Sequence, residues 1–158
     1  MESLPNEREA RSIPDEDLLK VGRNVILAEA EELNLAAARL GNELVRAARV
    51  IQACSGRLVV SGLGKSGLIG RKIAATLASL GTPAFFLHAA EGSHGDLGMV
   101  RREDVGLFIS HSGETREVLE LLPFFRRIGA PVIAMTGNLN SRLAKNADIV
   151  LDASVRRE

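Results

Sequence analysis

From residue 57 onward, short apolar runs alternate with helix-like segments, and this restricts the fold more than any other feature of the chain. The runs are Arg57–Ser61, Ala84–Leu87, Val105–Ser110, Pro131–Thr136 and Asp148–Leu151. Helical segments are read at Ser66–Leu80, Thr115–Ile128 and Ser141–Asn146. Strands that are apolar on both faces must be covered on both faces, and strands spaced by helices pair in parallel. The pattern therefore predicts an α/β fold: a three-layer α-β-α sandwich around a five-stranded, doubly wound parallel sheet. Ahead of it, Leu18, Val21, Val25 and Ala28, then Leu33, Ala37, Leu40, Leu44, Ala48 and Ile51, fall at helical spacing. This predicts a long N-terminal helix from Asp15 to about Cys54, broken once or split in two because Gly22 and Gly41 weaken it. Its apolar stripe is long for a surface helix, so part of it is expected to face another subunit. Residues 1–14 read as a flexible tail and 15–158 as one domain. The chain stops directly after the fifth strand, where a closing helix is expected, and is read either as truncated there or as covered on that face by another subunit.

Composition narrows the function. At 158 residues with 46% hydrophobic content, the chain is one ordinary soluble domain with material for a core. Twenty basic and twenty acidic residues cancel, which argues against a broad footprint for nucleic acid or anionic membrane. Aromatic residues make up 3% and all are Phe, so a platform for stacking bases is not expected. The single cysteine, Cys54, forms neither an internal disulfide nor a multi-cysteine metal site. No apolar run reaches membrane-spanning length, and MESLPNEREARSIP lacks the apolar stretch of a signal peptide. A cytoplasmic location is the expectation.

In open parallel sheets, ligands bind beyond the carboxyl ends of the strands. Three such ends carry similar chemistry: Ser61-Gly-Leu-Gly-Lys-Ser66, Ser110-His-Ser-Gly-Glu-Thr115 and Thr136-Gly-Asn-Leu-Asn-Ser141. Each is a loop of glycine and hydroxyl residues running into a helix. Glycine permits close backbone approach, helix N-termini offer free N–H groups, and hydroxyls add hydrogen bonds, so the set suits a phosphate. The alternative is that the hydroxyls merely cap their helices. Gly62-Leu-Gly64-Lys-Ser-Gly67 also fits the dinucleotide fingerprint, but the second strand ends in Leu87-His88 with no acid there for a ribose. A P-loop is excluded, because the glycine it requires at position 59 is Val59. After the second strand, His88, Glu91, His94 and Asp96 form a dense polar loop suited to proton transfer. Ligand types alone do not make a metal site, and none is assigned.

The order GxGKSG, HxxExxHGDLGM, ISxSGE, a Thr-Gly loop and an Ala-Asp strand resembles the sugar isomerase (SIS) domain. Gly64-Lys65-Ser66-Gly67 with His94-Gly95-Asp96-Leu97-Gly98-Met99 is more specific and is similar to the D-arabinose 5-phosphate isomerase family, over about residues 15–158. The resemblance implies interconversion of D-ribulose 5-phosphate and D-arabinose 5-phosphate through an enediol, feeding Kdo synthesis for lipopolysaccharide or capsule. It implies no organic cofactor, a sugar phosphate as ligand, and a homotetramer with shared active sites. By position, Gly64, Ser66, Ser110, Ser112 and Thr115 are expected to hold the phosphate. Lys65, His94, Glu117 and Glu158 match positions implicated in catalysis. His88, Glu91 and Asp96 are expected to bind substrate or position the loop, and Glu114, beside the phosphate loop, is read as orienting or structural. Relatives continue past Glu158 with a closing helix, a further catalytic histidine and often paired CBS modules, so this chain by itself is expected to bind substrate yet to catalyse weakly or not at all. The alternative is a phosphosugar sensor that binds without turnover.

Overall fold

A computed structural model describes residues 13–92 and 94–156. Most of the expected tail, and Glu158, lie outside the described residues. The chain divides between Ala37 and Ala38 into two compact units. Helix α1 (Asp15–Arg39) supplies the first unit, and its final residues begin the second. Asp15, Glu16 and Asp17 occupy its first turn, where carboxylates favour the helix dipole, and none of its side chains is buried. The helix runs through Gly22 and stops before Gly41, whose extended backbone precedes α2 (Asn42–Gln52). The break anticipated at Gly22 or Gly41 is therefore at Gly41.

The second unit carries β1 (Leu58–Gly62), α3 (Gly64–Ser79), β2 (Ala84–His88), α4 (Ala89–Gly92) and a 3-10 turn at Asp96–Met99. It continues through β3 (Val105–Ile109), α5 (Arg116–Ile128), β4 (Val132–Thr136), α6 (Arg142–Asn146) and β5 (Ile149–Asp152). All five strands are parallel, in the order β2-β1-β3-β4-β5. Each predicted strand is present within a residue or so of its expected bounds. Alternate strand residues feed two separate cores. Leu58, Val60, Val105, Leu107, Ile133 and Ile149 pack with α2 and α3 residues such as Ala47 and Ala74. Val59, Leu87, Phe108, Val132 and Ala134 pack with α5 and α6 through Val118, Leu121, Phe125 and Leu143. This is the three-layer sandwich. Because β1 winds to β2 and β3 winds to β4 in opposite directions, the strand order reverses between β1 and β3, where α/β sheets open a crevice. No helix among the described residues is long and apolar enough to cross a membrane.

At the opposite, amino end of the sheet, Asp104 is 1% exposed and holds β3 to β1. Its carboxylate accepts from the Arg57 and Arg101 backbone N–H groups, each at 2.8 Å, with the Arg57 guanidinium 3.5 Å away. Asp104→Ala leaves two backbone donors without an acceptor, and is expected to cost roughly 3 kcal/mol of stability. Urea denaturation measures this; a loss under about 1 kcal/mol would show that water replaces the carboxylate freely.

Candidate active site

The glycine- and hydroxyl-rich loops after β1 and β3 leave the sheet at this reversal. The register sets Gly62 beside Ile109, so the β1 loop and Ser110 emerge next to each other. Their helices lie on opposite faces, α3 with one core and α5 with the other. Two helix N-termini thus flank one crevice, and both offer positive dipole ends and unpaired N–H groups.

In the β1 loop, α3 begins at Gly64, whose left-handed φ of 56° turns the chain from strand into helix. Gly64 borders open space: no heavy atom lies within 4 Å of where a Cβ would stand. The first intrahelical bond is made by the Gly67 N–H to the Leu63 carbonyl, at 3.2 Å. The N–H groups of Gly64, Lys65 and Ser66 therefore fall before the hydrogen-bonded part of the helix. Lys65 is exposed and Ser66 half-buried. The helix N-cap is Leu63, so no hydroxyl caps α3 and the capping alternative fails for this loop.

The β3 loop is tighter. Ser110 is 2% exposed, and its hydroxyl lies 2.8 Å from that of Thr115. Ser110 Oγ also accepts from the Gly113 N–H at 3.1 Å, and Ser112 Oγ from the Glu114 N–H at 3.2 Å. Three hydroxyls are thereby gathered in one turn ahead of α5. Thr115 stands at the N-cap of α5 but makes no side-chain cap bond, so its hydroxyl serves the turn rather than the helix. Glu117 follows in the first turn, half-buried.

The β4 loop differs. Thr136 Oγ1 donates to the His111 carbonyl at 3.1 Å and accepts from the Asn138 N–H at 3.2 Å. Ser141, buried, caps α6 by accepting from the Ala144 N–H at 3.2 Å. Here the capping reading holds, and the loop buttresses its neighbour: the Leu143 N–H donates to the Gly113 carbonyl at 3.1 Å. Glu114 completes that tether, accepting from the Arg142 backbone N–H at 2.8 Å and from its Nε at 2.6 Å. These bonds, the side-chain one foremost, hold the Glu114 carboxyl below its ordinary value of 4.5. Because the folded value is depressed, the tether contributes fully at pH above 4.5 and is lost as pH falls through the lower folded value. The Arg142 amide resonance is accordingly expected to stay fixed down to pH 4.5 and to move only below it; a midpoint at or above 4.5 would contradict the tether.

Beyond β2, His88 is half-buried opposite Gly62. Glu91 on α4, His94 in the turn after it and Asp96 on the 3-10 turn are exposed, and the His94 N–H donates to the Glu91 carbonyl at 3.0 Å. Gly64, Lys65, Ser66, Ser110, Ser112, Thr115 and Glu117 thus belong to the two helix starts at the reversal, whereas Glu91, His94 and Asp96 stand on the segment after β2. Among the described residues no group of three or more His, Cys, Asp or Glu could hold a metal ion. Arg142 was not singled out from the sequence. It lies 28 positions from Glu114, and no local pattern links the two.

The described residues form a parallel sheet with two glycine- and hydroxyl-bearing helix starts at its reversal point, an SIS-like arrangement. The SIS domain family matches residues 51–158, and the chain belongs to that family. It is 52% identical over 141 residues to arabinose 5-phosphate isomerase GutQ of Salmonella typhimurium, covering 89% of this chain and 44% of that protein. It is 49% identical over 142 residues to arabinose 5-phosphate isomerase KdsD of Pseudomonas aeruginosa, covering 90% of this chain and 44% of that one. The chain therefore spans less than half the length of these curated relatives. Among solved structures, E. coli CFT073 c3406 in complex with A5P superposes with a TM-score of 0.88 at 39% identity, over 92% of this chain and 78% of that one.

Proposed function

We propose that this chain is the sugar-phosphate-binding isomerase domain of an arabinose 5-phosphate isomerase, interconverting D-ribulose 5-phosphate and D-arabinose 5-phosphate. The observation that carries the reading is the meeting of the Gly64–Ser66 and Ser110–Thr115 loops at one crevice, with Lys65 and Glu117 at the starts of the two flanking helices. The names of the relatives, at about half identity, supply the substrate.

In this reading the phosphate lies across the two helix starts, taking hydrogen bonds from Ser66, Ser110, Ser112, Thr115 and the free N–H groups at Gly64. Anchoring that end extends the sugar's carbonyl carbons along the crevice. Isomerisation then removes a proton from the carbon beside the carbonyl and returns it to the neighbouring carbon, passing through an enediol. Glu117 is the base, and the Lys65 ammonium stabilises the oxygen on which negative charge develops. His94 assists ring opening, and Glu158 is the second acid–base group. His88, Glu91 and Asp96 line or position the substrate side. No organic cofactor enters this chemistry. The product is a precursor for Kdo, the enzyme works in the cytoplasm, and the chain associates as a homotetramer through its apolar N-terminal helix.

The test is a titration of the isotopically labelled chain with D-arabinose 5-phosphate, followed by amide NMR. The resonances of Gly64–Gly67 and Ser110–Thr115 are expected to shift saturably, and inorganic phosphate to compete. Absence of perturbation in both loops contradicts the cradle.

A further inference from the structure

A groove between α5 and α6 takes no part in the crevice, yet one of its residues holds the Ser110–Thr115 turn in place. Leu119, Leu122, Pro123, Arg126 and Arg127 recur at the three- and four-residue spacing that sets them along one side of α5. With Arg142 of α6 they line a cavity of about 390 Å³. That is room for a small molecule. The lining joins three apolar side chains to three guanidinium groups, and among the described residues that line it there is no carboxylate. Arg142 Nε holds Glu114, as described above. Arg126 Nη2 donates to the neutral Asn146 Oδ1 at 3.0 Å, and Arg127 stands over the Phe124 ring, 5.1 Å from its centroid. Neither Arg126 nor Arg127 has a carboxylate partner among the described residues. An adjoining cavity of about 340 Å³ shares Leu122, Arg126 and Asn146, and adds Lys145 and Asp148. The Asp148 carboxylate already accepts from the Val132 N–H at 2.8 Å, so the groove keeps an excess of positive charge.

A guanidinium group offers donors and no acceptor, so three of them around one cavity select an anion. Their planar forks match the oxygens of a carboxylate, phosphate or sulfonate. Leu119, Leu122 and Pro123 select what that anion carries. The hydroxyls of a sugar chain would lie unpaired against them, whereas an aromatic or aliphatic body buries apolar surface there. The groove thus differs in kind from the crevice, whose loops are glycine and hydroxyl. Arg142 links the two. An anion that draws its guanidinium into the cavity takes it from the Glu114 carboxylate, and leaves only the Arg142 backbone N–H to tether the turn.

We propose that the α5–α6 groove is a second, regulatory site, which takes an organic anion with an apolar body on Arg126, Arg127 and Arg142 and through Arg142 loosens the Ser110–Thr115 turn. The site is independent of the sugar-phosphate reading, and its effect on the crevice rests on that reading. The probe is 2-naphthalenesulfonate, titrated into the labelled chain and followed by amide NMR. Resonances of Leu119–Arg127 and Arg142–Asn146 are expected to shift saturably. The exposed pair Arg126→Gln and Arg127→Gln, made together, is expected to weaken this binding about tenfold and to leave affinity for D-arabinose 5-phosphate unchanged. With the probe saturating, calorimetric affinity for D-arabinose 5-phosphate is expected to fall about fivefold in the unsubstituted chain and to stay constant in the double variant. Shifts confined to the crevice loops or to α1, or equal probe affinity in both chains, overturn the site. Probe binding in the groove with no change in sugar-phosphate affinity overturns the regulation. A chain that does not bind D-arabinose 5-phosphate even without the probe overturns the sugar-phosphate reading instead, and the probe titration still decides the groove.

Discussion

Glu117→Gln is expected to lower the isomerase kcat by about 10³ while leaving KM for the sugar phosphate within a few-fold. The substitution keeps the size and hydrogen-bonding capacity of the side chain and removes only its ability to take a proton. Glu117 sits in the first turn of α5, two residues past Thr115, so it is placed by the same helix start that gathers the hydroxyl turn. Loss of its charge there weakens a favourable interaction with the helix dipole by about 0.5 kcal/mol, too little to unfold the domain. The rate and the fold are thus separable. Steady-state kinetics beside thermal denaturation make the measurement: a fall in kcat below tenfold would remove Glu117 from the role of base. Its neighbour Glu114 is unsuited to that role, because two hydrogen bonds from Arg142 already occupy its carboxylate and lower its basicity.

Gly113→Ala is expected to destabilise the domain by roughly 4 kcal/mol and to abolish measurable sugar-phosphate binding. Two independent effects add. Gly113 has a left-handed φ of 65°, which costs an alanine about 1 kcal/mol. More severely, the added Cβ would collide with the Ser141 side chain and approach Thr136 Oγ1 to 2.9 Å. Neither neighbour can yield cheaply, since Ser141 caps α6 and Thr136 is bonded to the His111 carbonyl. Relief must come from the Ser110–Thr115 turn itself, which disperses the hydroxyls proposed to hold phosphate. Chemical denaturation and calorimetric titration read the two effects separately. Wild-type affinity in a folded Gly113→Ala chain would show that the turn is not the anion site.

The five strands were legible because a strand covered on both faces is apolar along most of its length, and each run is short and set off from helical segments by polar, glycine or proline residues. The break near residue 40 was legible at Gly41, though Gly22 offered an equal signal and lies unbroken inside α1. The short helix Ala89–Gly92 and the turn at Asp96–Met99 were not, since so few residues carry no periodicity. The three hydroxyl loops looked alike in sequence and are not alike in the fold. The loops after β1 and β3 leave their helices uncapped by side chains, whereas Thr136 is consumed in holding the neighbouring loop and Ser141 in capping α6. That division depends on which strand lies beside which, and the order β2-β1-β3-β4-β5 is a property of packing rather than of any local motif. The same holds for Glu114, whose partner Arg142 enters from another element.

The most direct measurement is proton NMR of D-ribulose 5-phosphate in D₂O with this chain, following both the appearance of D-arabinose 5-phosphate and uptake of solvent deuterium at the carbon beside the carbonyl. An enediol mechanism places the abstracted proton on a base, where it can exchange with solvent before it is returned. The expected result is conversion accompanied by deuterium at that carbon. A chain that binds the sugar phosphate yet shows neither conversion nor exchange would contradict catalysis by this chain itself and leave it a phosphosugar-binding domain.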